Sequence, residues 1–84
     1  MLIRTKQAFV AGFKRSVRGN LWRRWAGGRS GRLVLTVFRR RGERYYDYVI
    51  ADGDRASFST RSYETEQEAV EALWRELGDI GALD

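Results

Sequence analysis

Arginine and aromatic side chains are the groups in this sequence best suited to binding chemistry, and the densest cluster is Arg39-Arg40-Arg41 with Arg44 and Tyr45. Guanidinium groups bind phosphate through paired hydrogen bonds. Four of them crowded at one hairpin tip would repel one another unless an anion lay among them. The cluster therefore predicts contact with a phosphate backbone, and the plainer alternative is a solubilising hairpin tip.

A second cluster is Trp22-Arg23-Arg24-Trp25. Guanidinium binds phosphate and indole stacks on unpaired bases, so this combination suits a nucleic acid. The alternative is that both tryptophans belong to the core and both arginines to the surface, because a small domain needs the area that large aromatics bury.

Catalytic and metal-binding chemistry has few candidates in this chain. It contains no Cys and no His, which removes thiolate chemistry, the commonest general base and the commonest metal ligand. Asp47, Asp52 and Asp54 could pair as carboxylates, but the last two flank Gly53 and are explained by turn chemistry. We therefore expect a protein that is not an enzyme, with no metal and no cofactor.

The formal charge of +5 conceals two halves of opposite sign. Residues 1–44 hold 13 Lys and Arg against one acid, a net of +12, whereas residues 45–84 hold three Arg against 10 acids, a net of −7. Such asymmetry predicts a polyanion-binding half and an acidic half with another role. The alternative is two solvated faces of a basic protein.

The length of 84 residues predicts one small domain covering 1–84. The charged start Met1–Lys6 could imitate a signal peptide, but the apolar run Ala8–Phe13 is too short for its hydrophobic region. No stretch approaches the roughly 20 apolar residues of a membrane span. We therefore expect a cytoplasmic protein without membrane contact.

An N-terminal helix is predicted over 5–18, since Phe9, Phe13 and Val17 recur at every fourth residue. Thr5 is its predicted N-cap, and the Gly-Asn pair after residue 18 is typical of a helix end. The next segment, 21–26, fits either a continued helix or a short strand. The glycine-rich loop that follows favours the strand.

Three further strands are predicted over 32–40, 45–51 and 56–60. A two-residue turn at Gly42-Glu43 would pair residues whose numbers sum to 85, such as Leu35 with Ile50. One face of the sheet would then be apolar, and the other would mix aromatic and charged residues. A one-residue bulge would change this register.

The C-terminal helix is predicted over 64–77. Thr65 and Glu68 match a capping box, and an apolar i, i+3, i+4, i+7 stripe follows. Gly78 would end this helix and leave 78–84 as a loose tail. Its acidic residues, among them Glu64, Glu68 and Glu71, either form a solvated face or dock a basic partner, including the basic half of another copy.

The predicted fold class is α+β, with an antiparallel sheet of three or four strands, an N-terminal helix and a C-terminal helix on one face. From Leu33 to Leu77 this order resembles the arm-type DNA-binding domain of tyrosine recombinases, in which a three-stranded sheet enters the major groove. The resemblance implies contacts from five arginines of the strands and turns: Arg39, Arg40, Arg44, Arg55 and Arg61. It assigns Thr65, Glu68 and the late Trp74 a structural role.

Two other families share parts of this outline. The chain is similar to a double-stranded-RNA-binding domain, but Glu64, Glu66 and Glu68 stand where that family carries lysines, so phosphate contacts there would be repulsive. Its strands and Thr-x-x-Glu-Ala helix are also similar to small antitoxins with a partial ribonuclease H fold. The leading hypothesis is a non-enzymatic nucleic-acid-binding protein, with DNA slightly favoured. The alternative is a protein-interaction module, an adaptor or inhibitor that uses the acidic helix.

Overall fold

Two helices and five strands follow one another in residues 5–83, the part of the chain that this computed structural model describes. In chain order they are α1 (Lys6–Ala11), β1 (Lys14–Arg15), β2 (Leu21–Trp25), β3 (Leu33–Phe38), β4 (Asp47–Asp52), β5 (Arg55–Phe58) and α2 (Glu66–Asp79). The strands form one antiparallel sheet in the order β1-β2-β3-β4-β5. The α+β class is confirmed, but the sheet has five strands, so the prediction of three or four is wrong.

The N-terminal helix is shorter than the sequence pattern predicts. It ends at Ala11, and the chain then forms β1, which pairs with the start of β2. The glycine expected to stop a longer helix, Gly19, instead takes a left-handed φ of 91° in the turn between these strands. Phe13 still reaches Phe9, edge to face at 5.2 Å, so the apolar repeat reflected packing and not a continuous helix.

The central hairpin keeps the predicted register but not the predicted turn. Leu35 pairs with Ile50 and Val37 with Tyr48, as expected. The ladder ends at the pair Phe38–Asp47, and residues 39–46 form a longer loop. The two-residue turn is therefore wrong. Tyr46 does not pair with the strand before the loop but exchanges backbone hydrogen bonds of 2.7 and 2.8 Å with Tyr63.

The core lies between one face of the sheet and the two helices. The sheet contributes the buried side chains Trp25, Leu33, Leu35, Val37, Tyr48 and Ile50, and α2 contributes Ala69, Val70, Ala72, Leu73 and Leu77. Phe9 of α1 is fully buried between them, at 5.2 Å from Trp25 and 5.1 Å from Trp74 between ring centroids. We call this side of the sheet the covered face.

Both helices begin at the predicted N-cap threonines. The Oγ1 of Thr5 accepts from the N–H of Ala8, and that of Thr65 accepts from the N–H of Glu68, each at 3.1 Å. Each bond satisfies a backbone donor that has no partner within its helix.

The C-terminal tail is packed, contrary to the prediction of a loose segment. Gly78 lies inside α2, which continues to Asp79, and Gly81 takes the left-handed conformation with φ 74°. Ala82 is buried, and its carbonyl accepts from the indole N–H of Trp25 at 2.8 Å. This bond fixes the tail against the sheet; Asp84 lies outside the described residues.

Candidate nucleic-acid interface

The second face of the sheet carries a continuous row of side chains and is not packed against the helices. Residues directly opposite in an antiparallel sheet point to the same side. The pairings therefore align Lys14, Trp22, Thr36, Val49 and Phe58 across all five strands, and Arg24, Val34, Ala51 and Ala56 beside them. Phe38 and Asp47 complete one end. We call this side the open face.

One arginine–aromatic cluster on the open face joins β3 and β5. The rings of Phe38 and Phe58 meet edge to face at 6.2 Å across the intervening strand β4. The guanidinium of Arg40 lies 5.6 Å from the centroid of Phe38. Phe58 is 56% exposed, and its contact with Phe38 makes the apolar surface here larger than one side chain, so its ring is available to a partner.

A second cluster lies on β2, where the guanidinium of Arg24 is 6.0 Å from the ring of Trp22. Trp22 is half-buried and Arg24 is exposed. Lys14 is the cross-strand neighbour of Trp22 on β1, so two cations flank this indole. The arrangement combines a flat aromatic surface with positive charge at both sides.

Asp47 is an acid on the open face, but its charge is compensated within the protein. It is 8% exposed and forms an ion pair of 3.2 Å with Arg40. It also accepts a hydrogen bond from the hydroxyl of Ser62 at 2.7 Å. The negative charge of Asp47 therefore offsets part of the positive charge of Arg40, but not that of Arg24 or Lys14.

The loop of residues 39–46, the arginine loop, adjoins the open face. Its guanidinium groups are spread over separate rings: Arg39 lies 5.6 Å from Tyr46, and Arg44 lies 5.3 Å from Tyr45. Arg41 is exposed at the turn, where Gly42 has φ 82°. Arg39, Arg40 and Arg44 therefore each contact a different ring, and the two-residue tip on which the expected crowding depended does not form.

A polar cleft of about 290 Å³ opens at this end of the sheet on the side of α2, where Arg15 is in register with Leu21 and the buried Val37. Arg15, Arg18 and Arg39 line it, together with Asn20 and Glu66. Glu66 accepts two hydrogen bonds of 3.1 Å from the guanidinium of Arg15, so that arginine is paired. Arg18 adds a positive charge beside Arg39 of the arginine loop.

Arg23 belongs to the structural framework and not to the open face. Its guanidinium donates to the carbonyls of Ala8 at 3.2 Å and Phe9 at 2.6 Å, which are at the C-terminal end of α1. It also lies 4.8 Å from the ring of Trp25. Burial lowers the pKa of Arg23 from its usual value. The structure therefore separates Arg23 from Arg24, which the sequence had grouped as one site.

The arginines that the recombinase resemblance adds also lie off the open face. Arg55 pairs with Asp52, and Asp52 pairs with the buried Leu33. The Cβ of Arg55 therefore points to the covered face. Arg61 follows β5, and its guanidinium lies 5.9 Å from the ring of Tyr63. The ring that Arg61 contacts is stacked on the buried Tyr48 of the covered face.

The acidic surface of α2 is partly occupied by basic residues of the same chain. Glu71 pairs with Lys6 at 3.1 Å, and Glu66 pairs with Arg15 at the same distance. Glu64 and Glu68 are exposed. These ion pairs hold α1 and β1 against α2 and reduce the negative charge available to an outside partner.

The sequence predictions did not include Lys14, Phe38 or Phe58 among the site residues. Phe38 was expected on the mixed face, but its ring contact with Phe58 depends on the pairing of β4 with β5. Lys14 was missed because β1 was interpreted as helix. For Phe58, the available sequence signal was the two-residue period of β5, which places Ala56 and Phe58 on one face and Ser57 on the other.

Comparison of the chain with models of known protein families, with curated proteins and with solved structures finds no significant match. Within residues 5–83 no helix is long and apolar enough to cross a membrane. The same residues contain no group of three or more acidic, His or Cys side chains placed to hold a metal ion. The candidate interface therefore rests on the geometry and charge of the open face and the arginine loop.

Proposed function

We propose that this chain is a small non-enzymatic nucleic-acid-binding protein whose contact surface combines the open face with the arginine loop. The observation that supports this most strongly is the separation of charge by face. Lys14, Arg24 and Arg40 lie on the open face, whereas the carboxylates of α2 lie beyond the covered face. A polyanion approaching the open face therefore meets cations first.

The aromatic rings next to these cations suit a nucleic acid better than a simple anion. A guanidinium lying over a ring keeps donors free at its edge, so it can bind phosphate while the ring contacts a base or a sugar. Arg24 with Trp22 and Arg40 with Phe38 both have this arrangement. Inorganic anions would use only the guanidinium.

The acidic helix supports the alternative of a protein partner less well. Of the three glutamates expected to dock a partner, Glu71 already pairs with Lys6. Glu64 and Glu68 remain exposed, but two carboxylates in the first turn and just before it are also explained by the helix dipole.

The test is a fluorescence-anisotropy titration with single- and double-stranded DNA and RNA over a series of salt concentrations. We expect log K to fall linearly with log salt. The triple variant Arg39→Gln, Arg41→Gln, Arg44→Gln should bind more weakly, and its slope on a single strand should be shallower by about 2. Arg40 is kept because it compensates Asp47.

A matched control removes three positive charges from the helix side of the protein: Arg29→Gln, Arg55→Gln and Arg75→Gln. It has the same net charge as the loop variant and should retain most of the affinity and the slope. Equal loss in both variants would show that only net charge matters and that the loop is not the site. Flat titrations with all four ligands at low salt would refute the proposed function.

A further inference from the structure

The width of the sheet distinguishes between double- and single-stranded partners. Adjacent strands lie about 4.8 Å apart, so five strands span about 19 Å between the outer backbones. The major groove of B-DNA is about 12 Å wide and admits an α-helix or a two-stranded ribbon. The open face therefore cannot lie flat in that groove, in contrast to the three-stranded mode that the recombinase resemblance implies.

The aromatic side chains of the open face are spaced for several bases. Trp22 and Phe58 occupy the same row on strands three positions apart, which places their backbones about 14 Å from each other. Stacked bases rise by about 3.4 Å each, so this distance accommodates several nucleotides. Phe38 contacts Phe58 and extends the second platform toward the arginine loop.

Each platform has a cation within reach of the phosphate of a stacked nucleotide. Arg24 lies 6.0 Å from the ring of Trp22, and Arg40 lies 5.6 Å from the ring of Phe38. A guanidinium plane can itself stack on a base, so the arginines do not have to leave the rings to contribute. Bases in a duplex cannot use such platforms, because both of their flat sides are already stacked on neighbouring pairs.

We propose that the open face binds single-stranded nucleic acid, with bases stacked on Trp22 and on the Phe38–Phe58 pair and with phosphates held by Arg24 and by the arginine loop, which includes Arg40. This inference rests on the proposed function and specifies the strand state of its ligand. It predicts that bases, and not only phosphates, contribute to affinity.

The experiment compares four probes of equal length, about 12 nucleotides: oligothymidine, oligouridine, a DNA duplex and an abasic deoxyribose-phosphate oligomer. We expect wild-type protein to bind both base-bearing single strands more tightly than the duplex or the abasic oligomer. Phe58→Ala should weaken binding to oligothymidine by about 5- to 150-fold, the range for loss of one stacked base. Binding to the abasic oligomer should not change.

Ile80→Ala is the matched control for Phe58→Ala. Ile80 is 55% exposed against 56% for Phe58, but it follows α2 and lies away from the open face. Its removal should leave all four affinities unchanged. Thermal melting of both variants shows whether either loses structure.

Tryptophan fluorescence gives a second measurement that needs no variant of Phe58. Trp25 is buried and Trp74 packs against the core, whereas Trp22 lies on the open face. Stacking of a base on Trp22 should quench part of the fluorescence on addition of oligothymidine but not of the abasic oligomer. Trp22→Phe should remove this quenching while it preserves a ring for stacking.

Three outcomes would overturn the inference and leave the proposed function standing: duplex binding as tight as single-strand binding, abasic binding as tight as oligothymidine binding, or titration without base-dependent quenching. In each case the loop variant would still lose salt-dependent affinity. Absence of binding to every probe would refute both. The wild-type protein could instead bind no probe and show twice the 9.8 kDa mass of the monomer. If Phe58→Ala then restored the monomer mass, a second copy of the chain would be identified as the occupant of the open face.

Discussion

Replacing Arg23 by methionine tests whether this arginine holds the first helix to the sheet. Its guanidinium donates to the carbonyls of Ala8 and Phe9 and lies 4.8 Å from the ring of Trp25. Those carbonyls belong to the last turn of α1 (Lys6–Ala11), which is too short to be stable alone. Methionine keeps most of the aliphatic length but removes every donor and the charge.

The magnitude follows from the contacts that are lost. Hydrogen bonds from a charged donor contribute about 1.5–3 kcal/mol, and a cation over an aromatic ring adds about 0.5–1 kcal/mol where it is partly exposed. Release of a held arginine recovers up to about 2 kcal/mol of side-chain entropy. A net loss of about 2 kcal/mol is expected, and in a domain of this size it lowers Tm by about 8–16 °C.

Arg24→Met is the control, because it removes the same side chain one residue along the strand, on the open face. Thermal and urea unfolding followed by circular dichroism should place Arg24→Met within about 0.5 kcal/mol of wild type. Affinity for a single strand should be measured below the unfolding temperatures of both variants. It should be reduced in Arg24→Met and nearly unchanged in Arg23→Met, the opposite of their order in stability. An unchanged Tm in Arg23→Met, or equal destabilisation by both, would contradict the structural role assigned to Arg23.

Two predictions concern the dependence of stability on pH. Burial, and then the hydrogen bond to Glu76, raise the pKa of Tyr48 above its usual range, so the stability it contributes is complete below about pH 10 and falls as pH rises further. Tyr48→Phe should flatten the alkaline decline in urea-unfolding free energy, which is up to about 1.4 kcal/mol per pH unit for one group; an unchanged slope would mean that other groups cause it. Hydrogen bonds from Ser30, and then from the N–H of Arg29, lower the pKa of Asp52. Its contribution is present above about pH 4 and is lost as pH falls through the lowered value, so Asp52→Asn should remove part of the acid dependence measured by chemical unfolding between about pH 4 and pH 2.

The parts of the fold that the sequence predicted are those set by local rules. The register expected for the central hairpin placed Leu35 opposite Ile50 and, with the two-residue period of a strand, identified the buried side chains of β3 and β4. The strand favoured for 21–26 is confirmed as β2, and its period of two places Trp22 on the opposite face from the buried Trp25. Asp52-Gly53-Asp54-Arg55 was identified as a turn, and Asp52 and Arg55 are the last pair of its ladder.

The parts that the sequence did not predict depend on contacts between distant residues. The end of α1 is set by Arg23, which reaches back to its carbonyls from β2. A Cβ on Gly12, the residue after this helix, would meet that guanidinium, so a glycine here has a packing reason. The C-terminal tail is ordered by the indole of Trp25, 57 residues before the carbonyl it binds. Periodicity cannot report such pairs.

The net charge of +12 on the first half of the chain overstates the positive charge available for binding. Lys6 and Arg15 are paired with glutamates of α2, and Arg23 is committed to the carbonyls of α1. The acidic half therefore compensates part of the basic half within one molecule. This leaves fewer carboxylates for head-to-tail association of copies, whereas Lys14 and Arg24 stay exposed on the open face beside Trp22. Salt should then weaken nucleic-acid binding steeply, because the contacts proposed for Lys14, Arg24 and the arginine loop are made by exposed charges.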